Sequence, residues 1–147
     1  MHTQFLIVLA LVAGALMPLQ AGINGQLAAQ VSGALNAALI SFAVGTLALL
    51  IINLCLRDLP STEALKGLAA WHWLGGLMGA FFIATAALAG PRLGAVIFLA
   101  LILVGQMSMS LLLDHFGWVG FRHAPITLNK LLGLVLIVAG LIMIFRR

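Results

Sequence analysis

The sequence predicts an all-α integral membrane protein with five transmembrane helices, and three observations support this fold class. Of the 147 residues, 64% are apolar and 7% are charged, whereas a soluble domain carries about 25% charged residues. The apolar residues form five long runs, each close to the roughly 20 helical residues that cross a bilayer core. The charged residues lie between or at the ends of these runs, where lipid headgroups lie. The net charge of +4 therefore indicates contact with the lipid bilayer and no nucleic-acid partner.

We expect one transmembrane domain over residues 1–147, with spans at roughly 4–26, 34–56, 71–89, 92–116 and 128–145. The run from Phe5 to Met17 resembles a signal-peptide core. No Lys or Arg precedes it, however, and apolar chain resumes soon after it, which favours a retained span. Pro18 is expected to kink this span because it removes a backbone hydrogen bond.

Several residues between the spans predict where helices begin and end. Ser32 and Thr127 are expected to cap the second and fifth spans. Gly90 should end the third span, with Pro91 in the first turn of the fourth, and Gly117 should end the fourth. The connection of mixed charge between the second and third spans could form a short interfacial helix after its proline, at residue 60.

A polar stripe in the fourth span is the strongest candidate for function. Gln106, Ser110 and Asp114 follow one another at intervals of four residues, so they share one helix face. Asp114 is the only acidic residue in or beside an apolar span. It could be a proton or cation site at one end of a pathway, or an interfacial carboxylate paired with Arg122 or water. The last turn of a helix disfavours a carboxylate by roughly 0.3–1 kcal/mol, so we expect a cationic or hydrogen-bond-donor partner.

Two amides in the first span form a second candidate group. Gln20 and Asn24 lie one turn apart, just after Pro18. Together with Gln106, these amides could line a polar cavity, or they could form hydrogen bonds between helices, which are worth about 0.6 kcal/mol each on average.

Metal, cofactor and enzyme chemistry are not expected. The four histidines, His2, His72, His115 and His123, lie at ends or in loops without an i, i+4 pair, so they do not predict a metal site. The single cysteine, Cys55, excludes an internal disulfide. No nucleophile–base pair or cofactor motif lies inside the spans.

Five segments in order along the chain resemble the YdcZ-like branch of the drug/metabolite transporter superfamily. They are residues 20–27 (QAGINGQL), 41–46 (SFAVGT), 73–80 (WLGGLMGA), 105–117 (GQMSMSLLLDHFG) and 131–133 (LLG) with 139–140 (AG). The resemblance implies a multi-pass protein of the bacterial inner membrane. Ten-span members of the superfamily resemble two inverted five-span repeats, which implies that this chain is half a transporter. It would then need a partner, as an antiparallel homodimer or as a heterodimer with a sister chain.

The positive charges are almost balanced between the two sides of the membrane. One side would carry four Lys or Arg residues and the other three, a weak preference for an N-terminus inside the cell. This balance also permits insertion in both orientations, which an antiparallel homodimer requires.

One departure from the superfamily limits the resemblance. The smaller multidrug exporters carry a glutamate in the first span, where this sequence has Gln20, Asn24 and Gln26. Proton coupling would therefore depend on Asp114, with His115 beside it.

The sequence thus predicts a small-solute transporter subunit that works by alternating access on a polar neutral or cationic solute. The proposed pathway residues are Gln20, Asn24, Gln106, Ser110 and Asp114. The alternative hypothesis is a non-transporting partner or regulatory subunit of another membrane protein.

Overall fold

The computed structural model describes residues 3–146, so the prediction for His2 lies outside the described residues. Within that range the chain forms helices and no strands. Five of the helices are long and apolar enough to cross a membrane, which confirms the predicted fold class. The helices are α1 (Thr3–Gln30), α2 (Ala34–Leu56), the short α3 (Thr62–Lys66), α4 (Leu74–Leu93), α5 (Ala95–Phe116) and α6 (Leu128–Phe145).

The chain divides into two compact units, one up to Arg92 and one from Leu93 onward. The core of the first unit lies on α1, α2 and α4 and consists mostly of alanines, Ala21, Ala37, Ala38, Ala86 and Ala87, with Ile83 and the buried amide Asn24. Small side chains let helix backbones approach closely, which is how helices pack in membranes. The second unit contains α5 and α6, and its buried apolar residue is Phe98.

Helix α1 is longer than predicted and continues through Pro18 as one helix. Every residue from Thr3 to Leu16 is exposed on this chain. The predicted N-cap at Ser32 is wrong, because Ser32 has a φ of 63° and Gly33, with a φ of 130°, takes the cap position of α2. The chain reverses between α1 and α2 within residues 31–33, and so short a reversal needs this unusual backbone at both residues.

The predicted helix boundary at Gly90 and Pro91 is also wrong. Helix α4 continues through both residues to Leu93, and the break falls at Gly94, which has a φ of 83°. Gly90 is buried, and Pro91 packs so closely on α1 that a Cβ built on Gly25 would overlap the proline ring. Helix α4 therefore continues past Gly90 and Pro91 at the place where it packs against α1.

Three other predicted features are confirmed. The short helix after Pro60 forms, and the Ser61 hydroxyl accepts a hydrogen bond from the Ala64 N–H at 3.1 Å. Thr127 caps α6 by accepting from the Lys130 N–H at 3.4 Å. Gly117 ends α5 in the left-handed conformation, with a φ of 63°.

The contact at Gly25 predicts that Gly25→Ala destabilises the protein. The added methyl would meet the rigid Pro91 ring, so α1 and α4 must separate, at a cost of about 1–3 kcal/mol. Gly22→Ala is the matched control, because a Cβ there meets nothing within 4 Å and alanine favours a helix over glycine by up to about 1 kcal/mol. Thermal unfolding of the purified variants in detergent measures the difference. Equal stability of the two variants would contradict the close α1–α4 contact.

Candidate functional site

A largely apolar cleft that contains several uncharged polar residues lies between helices of the first unit. One part has a volume of about 380 Å³ and is lined by Gln20, Ser41, Phe42, Gly45, Thr46, Leu49, Gly79, Phe82 and Ile83. An adjoining part of about 540 Å³ is lined by Ala13, Leu16, Met17, Leu19, Gln20, Ile23, Asn24 and Ser41. The two parts share Gln20 and Ser41, and no charged residue lines either one. We call both parts together the amide cleft.

Asn24 is the buried polar residue of this cleft. Its side chain is only 3% exposed, and its Nδ2 has no hydrogen-bond partner among residues 3–146. Leaving a buried donor unpaired costs about 1–3 kcal/mol. By contrast, Asn36 and Asn53 of α2 donate to backbone carbonyls of Val31 and Leu49, each at 2.8 Å. Asn24 therefore differs from these amides in having a donor that the described chain does not use.

A second cleft of about 390 Å³ lies between α5 and α6. It is lined by Met107, Ser110, Leu111, Asp114, Lys130, Gly133, Leu134 and Ile137. Its charged groups form an ion pair, with Lys130 Nζ 3.7 Å from Asp114 Oδ2. We call it the ion-pair cleft.

The ion pair is held by the loop between α5 and α6. Lys130 Nζ also donates to the Ala124 carbonyl at 3.1 Å, and the Ala124 N–H donates to the Asp114 carbonyl at 2.8 Å. Nearby, His115 Nδ1 accepts from the Ile126 N–H at 3.3 Å. The loop thus folds back onto the last turn of α5.

The expected cationic partner of Asp114 is present, but it is Lys130 rather than Arg122, which is exposed. Asp114 lies at the end of α5 and Lys130 in the first turn of α6. A carboxylate is unfavourable at the C-terminal end of a helix, and an ammonium group is unfavourable at the N-terminal end. The attraction between Asp114 and Lys130 offsets both of these interactions with the helix dipoles.

The five predicted site residues fall in three places. Gln20 and Asn24 line the amide cleft, whereas Ser110 and Asp114 line the ion-pair cleft. Gln106 is exposed near the middle of α5. Their membership in one pathway stays a prediction.

Sequence reasoning did not select Ser41 and Thr46 of the amide cleft or Lys130 of the ion-pair cleft. One pattern could have identified Ser41. Ala37, Ser41 and Gly45 recur every four residues along α2, with Ala38 beside the first of them, which is the spacing of a helix face that packs against a neighbour.

Five apolar helices of membrane-crossing length, with a few polar residues in the clefts between them, define a multi-pass integral membrane protein. The chain belongs to the YdcZ family of the DMT group, described as "Putative inner membrane exporter, YdcZ", which matches residues 5–143. The match confirms the predicted family and the inner-membrane location, and it supports membrane transport as the general function. No curated protein and no solved structure matches the chain.

Proposed function

We propose that the chain is one subunit of a small-solute exporter that works by alternating access in a dimer. The partner is a second copy in the opposite orientation or a sister chain. The family match supports export as the general activity, and the exposure of Gln106 supports the need for a partner.

Gln106 carries this argument because of its depth. Helix α5 has 22 residues, so it is about 33 Å long, close to the roughly 30 Å of a bilayer core. Gln106 lies near its middle and is exposed on the single chain. An amide facing hydrocarbon costs several kcal/mol, so this side chain requires a polar partner or water from a pathway. An interface that encloses a solute pathway supplies both.

The proposed pathway residues are Gln20, Asn24, Gln106, Ser110 and Asp114. The amides would orient the solute by hydrogen bonds. Asp114 would supply charge or a proton relay at one end, and its separation from Lys130 would accompany proton binding. The cleft volumes, about 380–540 Å³, support this because small-molecule sites occupy about 300–1,000 Å³.

Release from liposomes tests the proposal. Liposomes containing the purified protein are loaded with a mixture of nucleosides, carboxamides, polyols, organic cations and organic acids, and release is followed by mass spectrometry. We expect faster release of at least one class than from protein-free liposomes. Gln106→Leu should lower that release about tenfold at equal protein incorporation. Gln26→Leu is the matched control, because Gln26 is also an exposed amide but lies about one turn from the end of α1.

Two results would contradict the proposal. If the wild-type protein releases no class of solute, the chain is not a transporter by itself, and a non-transporting partner becomes the better hypothesis. If Gln106→Leu and Gln26→Leu release solute equally well, Gln106 does not lie in the pathway.

A further inference from the structure

We propose that Asn24 is the hydrogen-bond donor of a binding site in the amide cleft for a neutral solute that carries a carbonyl or hydroxyl oxygen. This inference rests on the proposed function and names its solute class. It depends on the burial of the Asn24 side chain, its unpaired donor and the lining of the cleft.

The unpaired donor indicates what kind of group binds. Asn24 Nδ2 is buried and has no acceptor within residues 3–146, although Asn36 and Asn53 show that amides elsewhere in this unit find backbone acceptors. A buried donor held without a partner is unfavourable, and an acceptor atom of a bound solute removes that penalty. Carbonyl and hydroxyl oxygens are such acceptors.

The lining of the cleft indicates the charge of the solute. Its polar side chains are Gln20, Asn24, Ser41 and Thr46, all of them uncharged. The charged residues of this unit, Arg57, Asp58, Glu63, Lys66 and Arg92, lie between the long helices or near a helix end, and none lines the cleft. An ion there would lose its hydration without gaining a counter-charge. The cleft therefore favours a neutral solute, and the cation considered from the sequence alone is disfavoured.

The position of Asn24 also suggests how the donor becomes accessible. Asn24 lies less than two turns after Pro18 on α1, where a backbone hydrogen bond is missing because proline has no N–H. The preceding part of α1 is exposed. Movement of α1 at this proline would open the cleft wall in which Asn24 lies.

Binding and stability measurements on the purified protein in detergent test the site. The probes are three separate sets, namely neutral nucleosides and carboxamides, organic cations, and organic acids. We expect at least one neutral probe to raise the melting temperature by about 2 °C or more, and no ion to do so. Asn24→Leu should abolish this shift, and Asn53→Leu, which removes an amide already bonded within its own helix, should retain it.

The melting temperature of the Asn24→Leu variant without ligand is a second test of the site. If the Asn24 donor is reserved for a solute, Asn24→Leu should melt at a higher temperature than the wild type, because it removes an unpaired buried polar group. Asn24→Ala, which fits the same space, replaces Asn24→Leu if leucine prevents folding. A lower melting temperature of Asn24→Ala with an unchanged ligand shift would show a structural role for Asn24 and overturn the proposal.

The outcomes separate this inference from the proposed function. If only ions raise the melting temperature, or if no neutral probe raises it, the proposal of a neutral-solute site is overturned. This holds regardless of which solutes are released in the liposome experiment. Stabilisation by a neutral probe that wild-type liposomes do not release supports the site and contradicts the exporter function.

Discussion

Copies of the chain with Gln106→Cys are expected to form disulfide-linked dimers in native membranes, and copies with Leu113→Cys are not. Both changes are made with Cys55→Ala, which removes the exposed native cysteine. In a dimer of inverted copies, the two-fold axis lies in the plane of the membrane. Residues at mid-depth can therefore lie beside their own counterparts, and residues nearer an end cannot.

The geometry of α5 makes this contrast sharp. Leu113 follows Gln106 by about two turns on nearly the same helix face, so it lies about 10 Å further along the axis. Inversion of the partner doubles that offset to about 21 Å, whereas a disulfide requires Cα atoms within about 7 Å. Leu136→Cys on α6, at a site 72% exposed, controls for random collisions. Dimers at both α5 positions would indicate parallel copies, and a dimer at neither would contradict a homodimer formed along this face.

Asp114→Asn is expected to lower solute release from liposomes at least tenfold without reducing the amount of protein in the membrane. The asparagine can still form hydrogen bonds, but it carries neither charge nor a transferable proton at neutral pH. Asp114 and Lys130 are 39% and 33% exposed, and ion pairs this exposed contribute about 0.2–1 kcal/mol. A tenfold loss of transport with normal abundance would therefore not follow from lost stability.

Lys130→Gln separates a transport role of Asp114 from a structural role of the ion pair. This variant leaves the carboxylate in place, and its amide can still donate to the Ala124 carbonyl, so more than half of the release should persist. Release is measured at equal protein incorporation for both variants. Equal losses in both, restored when the two changes are combined, would assign Asp114 to a structural ion pair and remove it from the mechanism.

The spans were predictable from the sequence because length and hydropathy depend on the chain alone. The boundary at Gly90 and Pro91 was not predictable in this way. Local propensity favours a stop there, whereas the structure places this helix end against Gly25, and that contact is between distant parts of the chain. The cap at Ser32 was wrong for a related reason, because the length of α1 left only residues 31–33 for the reversal.

For the candidate site, the sequence shows which polar residues lie in the spans but not which groups they contact. The helix dipole predicted a cationic or hydrogen-bond-donor partner for Asp114, and the partner is the cation Lys130. Which cation pairs with Asp114 depends on the loop between α5 and α6. In this loop Gly117, Val119 and Gly120 all have positive φ angles, and the chain returns to Asp114. Asn24 was chosen for its amide and its place after Pro18, yet nothing in the spacing shows that its donor is buried without an acceptor.

The exposed first half of α1 has a mechanical consequence. From Thr3 to Met17 it extends for about 22 Å, without a buried side chain along its length. A bend of α1 at Pro18, where proline leaves one backbone hydrogen bond unmade, would turn this segment into a lever. A tilt of about 10° there would carry the far end sideways by about 4 Å, given that arm length. Bilayer tension or thickness could thus be converted into displacement of this helix without unfolding of the alanine core behind it.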